Sequence, residues 1–162
     1  GLTDLGWQCR IAGSFDRDLV TAERLRRQIA DARLSERVHL LGTLTDQELS
    51  HEYDRATLFV LPSHFEGYGM AFTEALARGL PVVACEGGAV TTTVPHDAGV
   101  FVKPGDVEAL AEKLRWLLGN RAEITKRADA AWAHAGALPR WQDAAQKIAA
   151  VLHDVSLQKA HA

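Results

Sequence analysis

The sequence has little that would tie it to nucleic acid, to a membrane or to a metal cluster. Its 162 residues carry 18 Lys and Arg against 21 Asp and Glu, a net charge of −3, so no basic footprint favours a nucleic-acid partner. No apolar run approaches the roughly 20 residues that a membrane-spanning helix needs, and the N-terminus lacks the order of a signal peptide. HExxH and CxxC patterns are absent, and the seven histidines are scattered without ligand spacing.

Cysteine is also scarce. The two cysteines, Cys9 and Cys85, each sit in a short apolar run. This pattern predicts buried free thiols in a reducing compartment, so we expect a cytoplasmic location or one at the cytoplasmic face of a membrane. The length predicts one domain over residues 1–155, followed by a frayed tail over residues 156–162. Because the chain lacks a start methionine, we expect it to be part of a longer protein whose segment before the first strand is missing here.

Short apolar runs alternate with helical patterns along most of the chain. Apolar strands that alternate with helices are typical of a parallel sheet covered on both faces, so the sequence predicts an α/β, Rossmann-like fold. The last three predicted helices have no strand between them and are expected to form an appended cluster. The strands are predicted at residues 7–12, 37–41, 57–61, 81–85 and 99–102, and those last three helices at residues 107–118, 121–135 and 141–155.

Glycine-bearing loops follow four of the predicted strands. Ligands of open parallel sheets bind beyond the carboxyl ends of the strands, where glycine lets backbone N–H groups approach the ligand closely. The third loop runs directly into a helix, whose N-terminus favours a phosphate. For any single loop the alternative, a tight turn without a ligand, stays open, and the set of four favours a site. These loops are Gly13-Ser14, Gly42-Thr43, Gly67-Tyr68-Gly69 and Gly87-Gly88.

Two glutamates flank the third loop. Glu66 precedes its glycines and Glu74 lies within the helix that follows. Because a carboxylate repels a phosphate but accepts O–H hydrogen bonds strongly, both are expected to face hydroxyl groups of a ligand. A sugar at one end of a diphosphate and a ribose at the other would suit them. The alternative is that Glu66 is a loop charge and Glu74 a solvated helix residue.

The segment PSHFEGYGMAFTEALARGLPVVA, residues 62–84, resembles the nucleotide-sugar signature of retaining glycosyltransferases of the GT-B fold, family 4 (glycosyl transferases group 1). The motif of that family is two glutamates separated by seven residues, the first followed by Gly-aromatic-Gly, and Glu66 and Glu74 match it. The resemblance extends over nearly the whole chain, through RIAGSFDRD, RVHLLGTLTDQEL, YDRATLFVLPS and AGVFVKPGDVEAL. It implies the C-terminal, donor-binding half of a GT-B fold, with LPRWQDAAQKIA as its closing helix.

The resemblance also implies a role for individual residues. Glu66 would act as the catalytic residue by contacting hydroxyls of the donor sugar, and Glu74 would bind the ribose. The remaining donor-binding positions are the backbone of Gly67, Tyr68, Gly69 and Met70 for the sugar and distal phosphate, Gly13 and Ser14 for the phosphate side, and Leu41 and Gly42 for the base side. The donor would be a UDP- or GDP-linked sugar, with no cofactor and no metal.

The implied reaction is hexosyl transfer with retention, in which the leaving diphosphate helps to deprotonate the acceptor. Electrostatic stabilisation of that leaving group would be the main catalytic contribution. The resemblance implies a partner in the N-terminal acceptor-binding domain, which this chain lacks and through which the protein could associate peripherally with a membrane. We therefore expect the 162 residues alone to be inactive and to bind nucleotide weakly.

Two positions depart from the family pattern. Relatives carry an arginine and a lysine after the first strand of this domain, and no such pair precedes Trp7. Thr92 stands where an acidic residue is common in relatives, which puts a donor contact or an interdomain hinge in doubt. These departures leave a noncatalytic nucleotide-binding domain open as an alternative. A nucleotide-sugar epimerase of similar fold is a second alternative, although the spacing of Glu66 and Glu74 around Gly-Tyr-Gly favours the glycosyltransferase.

Other residues have simpler interpretations. The triplet Asp16-Arg17-Asp18 has the form of a manganese-binding DxD motif, but it immediately precedes a helix, so we interpret Asp18 as a helix cap. His64 is interpreted as a loop residue that shapes the pocket. Tyr68 either stacks on the ligand or packs under the helix. The tryptophans of the helical patterns are expected in the core; they are Trp116, Trp132 and Trp141.

Overall fold

The computed structural model describes residues 2–138 and 141–160. Five strands alternate with helices, and every strand pair is parallel. The predicted α/β fold is therefore confirmed. In chain order the elements are β1 (Cys9–Ala12), α1 (Leu19–Asp31), β2 (Val38–Gly42), α2 (Asp46–Arg55), β3 (Phe59–Leu61), α3 (Met70–Ala77), β4 (Val82–Cys85), α4 (Val90–Thr93), β5 (Gly99–Val102), α5 (Val107–Leu118), α6 (Arg121–Ala135) and α7 (Trp141–Ala160).

The strands form two sheets, one of two strands in the order β1-β2 and one of three in the order β3-β4-β5. Helix α2 connects them, because Glu52 forms an ion pair with Arg10 of β1 while the ring of Tyr53 packs against that of Phe59 in β3. Strands β1 and β3 thus lie on the sides of the two sheets that α2 bridges, and each pairs with one neighbour among the described strands.

The three-stranded sheet is covered on both of its faces. Neighbouring residues of a strand point to opposite faces, and β4 follows this rule with every residue buried. Val82 and Ala84 belong to a core cluster with Phe72 and Leu76 of α3, whereas Val83 belongs to a second cluster with Leu117 of α5. The prediction of helices on both faces is confirmed.

Side-chain caps fix the starts of four helices. Asp18 accepts the backbone N–H of Thr21 at 2.9 Å, as the cap interpretation predicts. Thr45 and Glu48 form the reciprocal capping box of α2, at 3.3 and 2.8 Å. Asp106 and Asn120 cap α5 and α6 in the same way.

Several expectations about burial and boundaries were wrong. Cys9 is exposed, because β1 pairs only with β2 among the described strands, while Cys85 in the middle of the larger sheet is buried. Trp116 and Trp132 are 42% and 67% exposed, so they are not core residues. The side chain of Trp141 lies outside the described residues.

One helix of the structure was not predicted from the sequence, and the end of another was predicted too early. Helix α4 is a single turn rich in β-branched residues, a composition that favours strand over helix, and no helix was predicted there. Helix α7 continues through Ala160, past the predicted end near Val155, and no Gly or Pro interrupts this stretch. Residues 161–162 of the predicted tail lie outside the described residues. None of the described helices is both long and apolar enough to cross a membrane.

Candidate functional site

Helix α3 begins differently from the helices that carry side-chain caps. Its N-cap is Gly69, which has a φ of 84° and offers no side-chain hydrogen bond. The Gly69 carbonyl accepts the N–H groups of Phe72 and Thr73 at 3.0 and 3.2 Å. Among the described residues, no side chain caps the N–H groups of Met70 and Ala71, the first two residues of α3. This N-terminal end of α3 can therefore accept an anionic ligand.

We call the N-terminal end of α3 the mouth of this helix. Glycine is required there, at Gly69, for a steric reason as well. A Cβ on Gly69 would lie 3.1 Å from the ring of Phe72 and 3.4 Å from the hydroxyl of Thr93. Because φ is positive there, any other residue would also be strained. The second glycine of the Gly-Tyr-Gly motif is therefore required by the local backbone, whereas a Cβ on Gly67 would meet nothing within 4 Å.

The loop between β3 and α3 rests on the turn that follows β4. Ala89 donates its backbone N–H to the carbonyl of Glu66 at 2.8 Å. A Cβ on Gly88 would stand 2.1 Å from that same oxygen, and one on Gly87 would stand 2.7 Å from the carbonyl of His64. The fourth glycine loop, predicted as part of the ligand site, thus supports the third loop by direct backbone contact.

A threonine on α4 completes this support. The Thr93 hydroxyl donates a hydrogen bond to the Tyr68 carbonyl at 3.2 Å. The neighbouring Thr92 instead bonds the Ala89 carbonyl within its own turn at 2.9 Å. The backbone of the loop is consequently held from two directions, while the side chain of Tyr68 is 70% exposed.

The two glutamates flank this helix mouth. Glu66 is half-buried in the loop, and Glu74 is exposed one turn into α3. Glu74 Oε2 accepts a hydrogen bond from the Tyr53 hydroxyl at 3.1 Å. Burial, followed by the nearby charge of Glu74, raises the pKa of Tyr53, so the phenol keeps its proton and remains a donor.

Ser63, which the sequence analysis did not select, lies in the same loop just after β3. Its hydroxyl oxygen is buried and has no hydrogen-bond partner among the described residues. A buried hydroxyl without a partner is unusual in a native structure, and a bound ligand would satisfy it. The sequence signal was the position of Ser63 itself, directly beyond the carboxyl end of a buried strand.

The first two glycine loops are joined to each other. Gly13, which follows β1, donates its N–H to the carbonyl of Gly42, the last residue of β2, at 2.9 Å. A Cβ on Gly42 would lie 3.2 Å from the ring of Phe15, which therefore closes one side of this pair. The Ser14 hydroxyl accepts the N–H of Asp16 at 3.1 Å and so serves its own turn.

The predicted site residues thus form two groups at the carboxyl ends of the strands. One holds Gly13, Ser14, Leu41 and Gly42; the other holds Glu66 to Met70, with Glu74 on the helix behind it. Among the described residues, no hydrogen bond joins the two groups directly. Helix α2 contacts both sheets, through Glu52 and Tyr53.

The DxD triplet contacts the first group through the backbone N–H of Asp16, while the carboxylate of Asp18 serves the start of α1. The two carboxylate oxygens of Asp18 accept the N–H and the hydroxyl of Thr21 at 2.9 and 2.7 Å, which lowers the pKa of Asp18. Within residues 2–138 and 141–160, no group of three or more His, Cys, Asp or Glu side chains is placed to hold a metal ion.

Comparison with known sequences places this chain in a family. Residues 3–136 match the glycosyl transferases group 1. The chain is 43% identical over 84 residues to sulfoquinovosyl transferase SQD2 of Arabidopsis thaliana, which covers 49% of this chain and 16% of that protein. It is 33% identical over 125 residues to the MMP alpha-(1->4)-mannosyltransferase of Mycolicibacterium hassiacum, covering 76% of this chain and 30% of that protein. The chain therefore spans less than a third of the length of either relative.

Several solved structures also superimpose on this chain. Sucrose-phosphate synthase from Thermosynechococcus elongatus superimposes with a TM-score of 0.82 at 26% identity, over 93% of this chain and 39% of that one. Anabaena HepE in complex with UDP-glucose gives 0.82 at 25% identity, over 91% and 41%. The C-terminal domain of LpcC from Francisella tularensis, a glycosyl transferase group 1 protein, gives 0.66 at 26% identity, over 72% and 61%.

The family match over most of the chain, the parallel α/β architecture and the superposition on an isolated C-terminal domain agree with one another. The chain belongs to the glycosyl transferases group 1, and its fold is that of the C-terminal half of a GT-B glycosyltransferase.

Proposed function

We propose that this chain is the donor-binding domain of a retaining glycosyltransferase that transfers a hexosyl group from a UDP- or GDP-linked sugar to an acceptor. The observation that carries the proposal is the uncapped mouth of α3 between Glu66 and Glu74. Two backbone N–H groups there suit a phosphate, and a carboxylate on either side suits the hydroxyls of a sugar and a ribose. The complex of Anabaena HepE with UDP-glucose, at 25% identity, supports a nucleotide sugar as the ligand.

In this proposal each residue has a defined contact. Glu66 accepts hydrogen bonds from donor-sugar hydroxyls, and the backbone from Gly67 to Met70 holds the sugar and the distal phosphate. Glu74 accepts hydrogen bonds from the ribose hydroxyls. Gly13 and Ser14 line the phosphate side, and Leu41 and Gly42 the base side. The half-buried position of Glu66 and the contact between Gly13 and Gly42 support this division.

The catalytic contribution of this domain would be electrostatic. As the bond between sugar and diphosphate breaks, negative charge grows on the leaving phosphate, and the N–H groups of Met70 and Ala71 would stabilise it without reorganising. The Gly69 carbonyl bonds the N–H groups of Phe72 and Thr73, and the Thr93 hydroxyl holds the preceding loop through the Tyr68 carbonyl. The N–H groups of Met70 and Ala71 would therefore be oriented before the donor arrives. The proposal includes no metal, and the use of both carboxylate oxygens of Asp18 as a helix cap supports this at the DxD triplet.

We further propose that a strand from elsewhere in the full-length protein pairs between β1 and β3. Among the described strands, β1 and β3 each have one edge without a partner. This, the connection by α2 and the exposure of Cys9 support the proposal, as does the length of the relatives. Such a strand would join the two sheets and complete the domain of residues 1–155.

We also propose that residues 1–162 alone are inactive and that acceptor recognition belongs to another domain, which would also carry any peripheral membrane association. Two free thiols support a cytoplasmic location.

The test is turnover and binding by the full-length protein. Purified enzyme is titrated with UDP, GDP and their glucose and mannose conjugates, and product sugars are analysed for retained anomeric configuration. The proposal predicts binding of one nucleotide series and release of the matching nucleoside diphosphate when an acceptor is supplied. Binding without transfer to any acceptor would favour a noncatalytic domain, interconversion of sugar epimers would favour an epimerase, and no binding would refute the proposal.

A further inference from the structure

Tyr53 lies outside the glycine-spaced loop and its flanking glutamates, yet its hydroxyl reaches one of them. It belongs to α2, and it donates a hydrogen bond to Glu74 Oε2 on α3 across 3.1 Å. The two residues are 21 positions apart in the chain, so the contact exists only because α2 and α3 pack together. This pairing gives Glu74 a donor from a different element of the fold.

The phenol ring is fixed by the core. Tyr53 is partly buried, with its ring centroid 5.9 Å from that of Phe59. Phe59 in turn meets Phe72, which is fully buried, edge to face at 5.8 Å. Because aromatic contacts of this kind restrict the ring, the direction of the Tyr53 hydroxyl is set by packing before it meets Glu74.

Arg78 is placed near Glu74 in the chain but bonds other residues. Arg78, the C-cap residue directly after α3, follows Glu74 by four positions, the spacing at which an acid and a base commonly pair on a helix. Its guanidinium instead bonds Asp54 Oδ1 at 2.7 Å and the Ser50 carbonyl at 3.0 Å, and lies 5.7 Å from the centroid of the Tyr53 ring. Among the described residues, no Lys or Arg forms an ion pair with Glu74.

This arrangement orients a carboxylate without neutralising it. The Tyr53 hydroxyl is uncharged, and its raised pKa keeps it a donor throughout the neutral range. Among the described residues, the hydrogen bond to Glu74 goes to Oε2, which leaves Oε1 to accept hydroxyl protons of a ligand. A carboxylate that keeps its full charge is the stronger acceptor for two neighbouring hydroxyls.

We propose that Tyr53 is a positioning residue that holds the Glu74 carboxylate toward the vicinal hydroxyls of the donor ribose. The inference rests on the proposed function, since it requires that a ribonucleotide occupy the mouth of α3. It places part of the nucleotide-binding determinants on α2, the helix that also contacts β1 through Glu52 and Arg10.

The experiment is a thermodynamic cycle in the full-length protein, with UDP and 2′,3′-dideoxy-UDP as probes and the corresponding GDP pair in parallel. Tyr53→Phe is expected to weaken UDP binding about 3- to 10-fold, less than the loss of a direct hydrogen bond to a charged group, because Tyr53 acts through Glu74. Binding of dideoxy-UDP should stay unchanged. In a Glu74→Ala background, Tyr53→Phe is expected to add no further loss. Ser50→Ala, on the same helix, is the matched control, because it removes a hydroxyl but keeps the backbone carbonyl that Arg78 bonds.

The outcomes separate the inference from the proposed function. An equal loss for UDP and dideoxy-UDP would show that Tyr53 only supports the fold, and an unchanged affinity for UDP would show that it does not act through Glu74; either overturns the inference alone. Wild-type protein that binds neither the UDP nor the GDP series overturns the proposed function together with the inference. Heat denaturation of each variant confirms that it is folded.

Discussion

Gly88 lies so close to Glu66 that a Cβ on Gly88 would stand 2.1 Å from the Glu66 carbonyl oxygen. The φ of Gly88 is 59°, a conformation that other residues adopt at a cost of about 1–2 kcal/mol. The turn after β4 and the loop after β3 therefore share one rigid backbone contact. The carboxylate assigned to the donor sugar depends on a glycine 22 positions later in the chain.

Replacing Gly88 should therefore disturb both stability and binding. Gly88→Ala is expected to lower the free energy of unfolding by more than about 2 kcal/mol, since strain and a backbone clash combine. It should also weaken binding of the donor, because the Glu66 carbonyl must move. Denaturant unfolding and nucleotide-sugar titration check both effects. Gly6→Ala is the control, since a Cβ there meets nothing within 4 Å; equal effects of the two substitutions would contradict the account.

The two glutamates should respond differently to the two halves of the donor. Glu66→Gln is expected to weaken binding of the nucleotide sugar about 10-fold while leaving the free nucleoside diphosphate unaffected, because only the sugar contacts it. Glu74→Gln should weaken both ligands about equally, since both carry the ribose. Calorimetric titration distinguishes these patterns, and Glu112→Gln on α5 serves as a matched control. Identical patterns for Glu66 and Glu74 would refute the assigned ends of the site.

Asp4 provides a prediction about pH. Its carboxylate accepts two hydrogen bonds from Arg115 on α5, at 2.7 and 2.8 Å, and these lower its pKa from 3.8 to about 2. A carboxyl group whose pKa is lower in the folded state stabilises that state above its unfolded pKa, and this contribution is lost as the pH falls through the folded value.

The difference in melting temperature between the wild-type protein and Asp4→Asn should therefore be constant near neutral pH. It should shrink as the pH falls from 3.8 toward 2. Melting curves of both proteins over this range measure it. A difference that grows on acidification would mean that the pKa of Asp4 is not lowered in the folded protein.

Cys9 tests the proposed strand between β1 and β3. In residues 1–162 Cys9 is an exposed residue. Partial burial of its sulfur raises the pKa of the thiol and slows its reaction near neutral pH. At alkaline pH a thiol reagent should modify Cys9 readily and Cys85 only on unfolding. In the full-length protein, pairing along β1 should protect Cys9. Equal reactivity of Cys9 in both proteins would rule out a strand at this edge.

Much of the fold was predictable because its determinants are local. The caps at Asp18, Thr45 and Asp106 bond N–H groups three residues away, and sequence spacing alone indicates such bonds. Helix α6 has the predicted bounds, Arg121–Ala135, since Asn120 caps its start and Gly136 follows its end. The family, the parallel strands and the GT-B half-fold implied by residues 62–84 are confirmed.

The missed features depend on contacts between distant parts of the chain. Thr93 bonds Tyr68 across 25 positions and Tyr53 bonds Glu74 across 21, and no local pattern marks either pair. The exposure of Cys9 is of the same kind, because burial of a strand depends on what pairs beside it. The assigned roles of Glu66 and Glu74 stay predictions.

The central claim is that a nucleotide sugar binds at the mouth of α3. Hydrogen exchange of the full-length protein, measured with and without the UDP- or GDP-sugar that binds, tests it directly at the backbone. The account predicts that the amides of Met70 and Ala71 become strongly protected, with lesser protection near Gly13 and Gly42. Protection confined to other segments, with the amides of α3 exchanging as in the free protein, would contradict it.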